Sequence, residues 1–84
     1  MKVRDSITFS KIGEEGVLFD SESGNFFSLN EVAVRIVELL QKNNNADENV
    51  ILIKLKEEYE TDEHELMRDI KAFLQEMKRE NILV

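Results

Sequence analysis

Few side chains in this sequence are of the kinds that make and break bonds. There is no cysteine, and His64 is the single histidine. Disulfides and thiolate metal sites are therefore excluded. His64 falls in the first turn of a predicted helix, next to glutamates. A solvated imidazole is the simplest reading there, because a metal would need further neutral ligands. Acidic neighbours such as Glu14 and Glu15, or Glu57 and Glu58, occupy turn and surface-helix positions, where solvation explains them better than acid–base work. No serine stands in a nucleophile elbow, and no glycine-rich loop could cradle a phosphate. The expectation is a protein that is not an enzyme and holds no metal or cofactor.

What remains is binding. The 84 residues carry 11 basic and 18 acidic side chains, a net charge of −7. Such a surface repels phosphate backbones and anionic membranes, so neither nucleic acid nor membrane is an expected partner; a basic peptide is a fair match. The opening Met1-Lys2-Val3-Arg4-Asp5 leads into no long apolar stretch and does not read as a signal peptide. The apolar-rich runs Val32–Leu40 and Val50–Leu55 are too short to span a bilayer. The expected location is the cytoplasm. A chain of this length buries roughly 60–65% of its unfolded surface, enough for one domain over residues 1–84.

The elements that must present a binding surface change character near residue 30. Val3, Ile7 and Phe9 alternate with polar residues, the pattern of a half-buried strand over Val3–Phe9. Gly13-Glu14-Glu15-Gly16 reads as a turn and Val17-Leu18-Phe19 as a second strand. Asp20–Gly24 is a second turn, and Asn25–Leu29 a third strand. Loops this short predict an antiparallel three-stranded meander, which needs a cover on one face. Asn30 is a good N-cap, and Ser28-x-x-Glu31 fits a capping box one step earlier.

Helical periodicity takes over from there. Ala33, Ile36, Val37 and Leu40 form the stripe of a first helix, about Glu31–Gln41, that Asn43-Asn44-Asn45 stops. A second helix runs from about Asp47 or Glu48 to Tyr59. A third follows Thr61, with Asp62-x-x-Glu65 as a further capping box, and ends near Glu80. Asn81 is expected at C′ in the left-handed conformation, and Ile82-Leu83-Val84 against the core. The third helix has the stripe Leu66, Ile70, Phe73, Leu74 and Met77. One flank carries Asp62, Asp69, Glu76 and Glu80, the other Met67, Lys71 and Lys78. That is an ordinary solvated helix or an apolar groove with an acidic lip.

A sheet followed by three helices also describes a winged helix, whose third helix would enter a DNA major groove. Here that helix is flanked by acids, and the turns Gly13–Gly16 and Ser21–Asn25 carry no basic residue. Arg68, Lys71, Lys78 and Arg79 make only a small basic strip, whereas DNA-binding domains show a clear basic excess.

The run Gly16-Val17-Leu18-Phe19-Asp20, then Ser23-Gly24-Asn25-Phe26-Phe27-Ser28-Leu29-Asn30 before an apolar helix, resembles the PqqD-like family of peptide recognition elements. These serve the pathways of ribosomally made, modified peptides. Tyr59-Glu60-Thr61-Asp62-Glu63, Phe73-Leu74 and the closing Asn81-Ile82-Leu83 extend the resemblance over nearly the whole chain. Asn81 stands where members often have glycine, and Asn43–Asn45 lacks a usual glycine. The resemblance implies an α+β, winged helix-turn-helix-like fold of three antiparallel strands followed by three helices. It also implies capture of a precursor's leader segment as an added strand beside the third helix.

Carried onto this chain, Asn25, Phe26, Phe27, Ser28 and Leu29 would supply the edge; Phe27 and Leu29 share one face and Phe26 and Ser28 the other, with Phe27 and Leu29 expected toward the core and the reverse as the alternative. Asp69, Ile70, Phe73, Leu74 and Met77 are candidate groove residues, the apolar ones with plain core as the alternative reading, and Asp69 and Glu76 would meet a lysine or arginine of a basic leader. The first expectation is a discrete leader-binding protein of lasso-peptide biosynthesis working with a separate leader peptidase. The alternative is a PqqD-type chaperone for a radical S-adenosylmethionine enzyme. A winged-helix DNA-binding regulator comes last.

Overall fold

The computed structural model describes residues 1–84. Three strands, β1 (Ile7–Ile12), β2 (Glu15–Asp20) and β3 (Phe26–Leu29), precede three helices, α1 (Glu31–Lys42), α2 (Glu48–Glu58) and α3 (Glu63–Arg79). The sheet is an antiparallel meander in the order β1-β2-β3. The molecule is therefore an α+β fold with sheet first and helices after.

The core follows from the two periodicities. Ile7, Leu18 and Leu29 project from the inner face of the sheet, and α1 lays Ala33, Val34, Ile36, Val37 and Leu40 across them. Ile51, Leu52 and Leu55 of α2 and Leu66, Ile70, Leu74 and Met77 of α3 close the other side. Gly16 permits the close approach of α1 to the sheet. A Cβ built there would meet Phe9 Cε1 and Val34 Cγ2 at 3.0 Å and the Ser10 carbonyl oxygen at 3.1 Å.

Caps lock the helix starts. Asn30 accepts from the Ala33 amide at 2.9 Å, and Asp47 from Val50 at 3.0 Å. Asn30 is thus the N-cap of α1, not Ser28. At the far end Asn81 has φ 59°. The Ile82 amide returns to the Met77 carbonyl at 2.8 Å and the Asn81 amide to Lys78 at 3.1 Å, a Schellman closure with asparagine in the glycine position. Tyr59, read as the last helical residue, is the C-cap of α2.

Two expectations need correction. The first strand begins at Ile7, not Val3, because Val3 pairs with Leu83 in an isolated antiparallel bridge. Alternation alone cannot tell a sheet strand from an extended segment that pairs elsewhere. The same bridge corrects the C-terminus: Ile82 and Leu83 are buried, but Val84 is 72% exposed. Val84 exchanges backbone hydrogen bonds with Lys2, and its side chain faces solvent. No helix is long and apolar enough to cross a membrane.

Candidate functional site

The edge strand is positioned by a turn whose centre is Asp20, a residue that the sequence reading treated only as a turn former. Asp20 is 5% exposed, the one charged residue among the buried set. Its carboxylate accepts from the Glu22 amide at 3.0 Å and from Ser23 Oγ at 3.0 Å. Its carbonyl accepts from Gly24, which takes φ 77°, and its amide donates to the Asn25 carbonyl at 2.9 Å. The hydrogen bonds, that from the Glu22 amide foremost, hold the Asp20 carboxyl below its ordinary range against the opposing effect of desolvation. The recognisable signal was Asp-x-x-Ser-Gly, an aspartate placed to bond the backbone two residues on.

That turn sets which groups of β3 face outward. Antiparallel pairs alternate between hydrogen-bonded and non-hydrogen-bonded residues. Because Asp20 bonds to Asn25, and the register pairs Phe19 with Phe26, Leu18 with Phe27 and Val17 with Ser28, Leu18–Phe27 is the next bonded pair. Phe26 and Ser28 therefore aim their N–H and C=O groups away from β2, along an edge with no strand beside it. Side chains alternate the other way. Leu29 is buried and Phe27 packs partly against the core, while Ser28 is exposed and Phe26 is 70% exposed.

Next to this edge lies an open groove of about 450 Å³. Phe26, Phe27 and Ser28 form one wall, and Asp69, Phe73, Glu76 and Met77 of α3 the other. Its floor and end come from Asn30, Val32, Ala33 and Ile36. These residues of α1 and its N-cap were absent from the sequence-derived set, although Ala33 and Ile36 belong to the α1 stripe and Asn30 was read as its cap.

The remaining residues of that set lie elsewhere. Ile70 and Leu74 are 0% and 1% exposed and belong to the core. Asn25 and Leu29 flank the groove without lining it. The helical wheel explains the division on α3. At 100° per residue from Leu66, Glu76 and Asp69 stand at about −80° and −60°, Phe73 and Met77 at about −20° and +20°, and Ile70 and Leu74 at about +40° and +80°. The groove takes one side of the stripe and the core the other. Asp69 and Glu76, both exposed, sit on the rim outside any ion pair of the chain.

A second polar cluster braces the opposite side. Arg35 spans Glu58 and Glu38, and Lys11 reaches Glu38 at 3.7 Å, so α1, the end of α2 and β1 are tied together. Arg35 lowers the carboxyl pKa of both glutamates and has its own raised, chiefly by the bond to Glu58. Nearby, burial foremost and then Glu31 push the Tyr59 phenol up.

Fold and geometry together give an α+β structure in which one unpaired strand edge, that of β3, faces an apolar, acid-rimmed groove. The family model described as coenzyme PQQ synthesis protein D (PqqD) matches residues 15–83, and the chain belongs to that family. Two solved structures share its fold. TbiB1, in complex with the TbiA(beta) leader peptide, is 29% identical with a TM-score of 0.86, over 99% of this chain and 94% of that one. A lasso peptide synthetase B1, complexed with the leader peptide, is 29% identical with a TM-score of 0.78, over 98% and 93%. No curated protein matches in sequence.

Proposed function

We propose that this chain captures the leader segment of a ribosomally made precursor as a strand added to β3, and passes it to a leader peptidase in lasso-peptide biosynthesis. The observation that carries this reading is the outward set of Phe26 and Ser28 backbone groups beside the groove of Phe27, Phe73 and Met77. Main-chain bonds to such an edge give sequence-tolerant affinity, and the side-chain pockets beside it give selectivity. The likeness to two proteins described in complex with leader peptides supports the same reading. The role is non-catalytic, to order an extended peptide: among the groove's lining residues the Ser28 hydroxyl has no histidine or lysine to activate it.

An open edge of this kind invites aggregation if left bare. Here it is only four residues long, and the acidic rim discourages pairing between copies. A transient peptide strand is the occupant that such an edge can take and release.

The test is an NMR titration of the domain with the leader peptide encoded by the small precursor gene beside it. Saturable amide shifts centred on Phe26–Ser28 and on Asp69–Met77 are expected. Shifts confined to other surfaces would refute the edge-strand mode. The enzyme encoded alongside decides the pathway: a transglutaminase-like peptidase with an asparagine-synthetase-like cyclase fits the lasso reading. A radical S-adenosylmethionine enzyme in their place would assign the chain to a PqqD-type chaperone role.

A further inference from the structure

The groove carries a second layer of selectivity, which rests on the leader-binding reading above. We propose that it selects a leader in which an apolar side chain and a lysine or arginine two residues away share the face turned into the groove.

The argument begins with the backbone. An added strand bonds to Phe26 and Ser28, which places Phe27 in a non-hydrogen-bonded pair. Opposed Cα atoms in such a pair close to about 4.5 Å, and their side chains lie on the same face. The peptide residue opposite Phe27 thus points where Phe27 points, into a wall of Phe73 and Met77 above Ala33 and Ile36. Those four side chains are apolar.

The next peptide side chains on that face are two residues away, about 6.7 Å along the strand. Asp69 and Glu76 lie four and three residues from Phe73, about 6 Å and 4.5 Å along the α3 axis. They bracket the apolar position at a spacing that a long cationic side chain reaches. No lysine or arginine of this chain lines the groove, and neither carboxylate takes part in an internal ion pair. Both are solvated in the free protein, and a lysine or arginine of the bound ligand is the counter-charge that this rim can accept. A second copy of the chain is a poor source, since its own edge, Asn25–Leu29, contains no cation.

The test uses the fluorescein-labelled leader peptide of the adjacent precursor gene, titrated at low salt by polarisation. Asp69 and Glu76 are exposed, so D69N/E76Q is expected to keep the wild-type circular dichroism and to bind roughly tenfold more weakly, with a flatter salt dependence. A peptide in which the groove-facing lysine or arginine is replaced by glutamate should lose a similar factor on the wild type. It should regain affinity on D69K/E76K. The proposal is overturned if D69N/E76Q binds within twofold of wild type while the Phe26 and Ser28 amides still shift; strand capture then stands without charge selection. A leader that binds with no lysine or arginine in its bound segment overturns it too. Absence of binding to every variant removes the leader-capture reading itself, and this inference with it.

Discussion

Phe19 of β2 and Phe26 of β3 stack across the outer face of the sheet, with ring centroids 4.7 Å apart and planes tilted by 39°. The pair is directly cross-strand in the register, so each ring shields the other although Phe26 remains 70% exposed. Phe26 is also part of the groove wall. Phe26→Ala should therefore lower stability by only about 1 kcal/mol, the value of an exposed aromatic pair. It should weaken leader binding by more than that. Urea unfolding and a binding isotherm on the same variant check the two halves.

Ser28 separates the fold from its function. Its amide points away from β2, so proline there removes no ladder bond, as edge strands allow. Ser28→Pro is expected to retain a single cooperative unfolding transition and to lose leader affinity at least tenfold. Retained affinity would exclude strand addition at this edge.

Gly16 tests the packing of α1 on the sheet. Valine at this position drives a branched side chain into Phe9, Val34 and the Ser10 carbonyl, all within 3.1 Å of a built Cβ. Overpacking of this kind costs about 1–3 kcal/mol. Gly16→Val should lower the thermal midpoint accordingly, and Gly16→Ala by less.

Acid should unfold the protein through three carboxylates whose folded pKa values are depressed: Asp20, Glu38 and Glu58. For depressed groups the stabilisation is present above the unfolded pKa, about 3.9–4.3, and is lost as pH falls through the folded value. Stability should thus be level near neutrality and decline below about pH 4. Arg35→Met removes the cation that holds Glu38 and Glu58, and is expected to cost about 1 kcal/mol at pH 7 and to flatten the acid limb. Asp20→Ala should instead raise amide exchange across Asn25–Leu29, because the turn that sets β3 loses its centre. Denaturant midpoints across pH, with exchange rates on both variants, check these outcomes.

Much of this architecture was legible in the residues. The order of sheet and helices, the Asn30 cap, the left-handed Asn81 and the alternation that puts Phe27 and Leu29 on one face all follow from interactions within a few positions along the chain. So does the angular ranking of the α3 side chains. The errors arose where a distant partner decided. Val3 reads as a strand residue, yet it pairs with Leu83, and Val84 was expected inside but is turned out by that same pairing.

Local chemistry alone thus determined the element types, their limits to within a few residues, the sign of the surface charge and the presence of an acidic flank on α3. Tertiary structure decided which side of the α3 stripe became core and which became groove, that Asp20 is buried rather than solvated, and that Asn30, Val32, Ala33 and Ile36 border the groove. The reason is range. Periodicity and capping act between residues three or four apart, whereas the direction of the core is set only when α1 and α3 settle on the sheet, and that contact is encoded by no single segment.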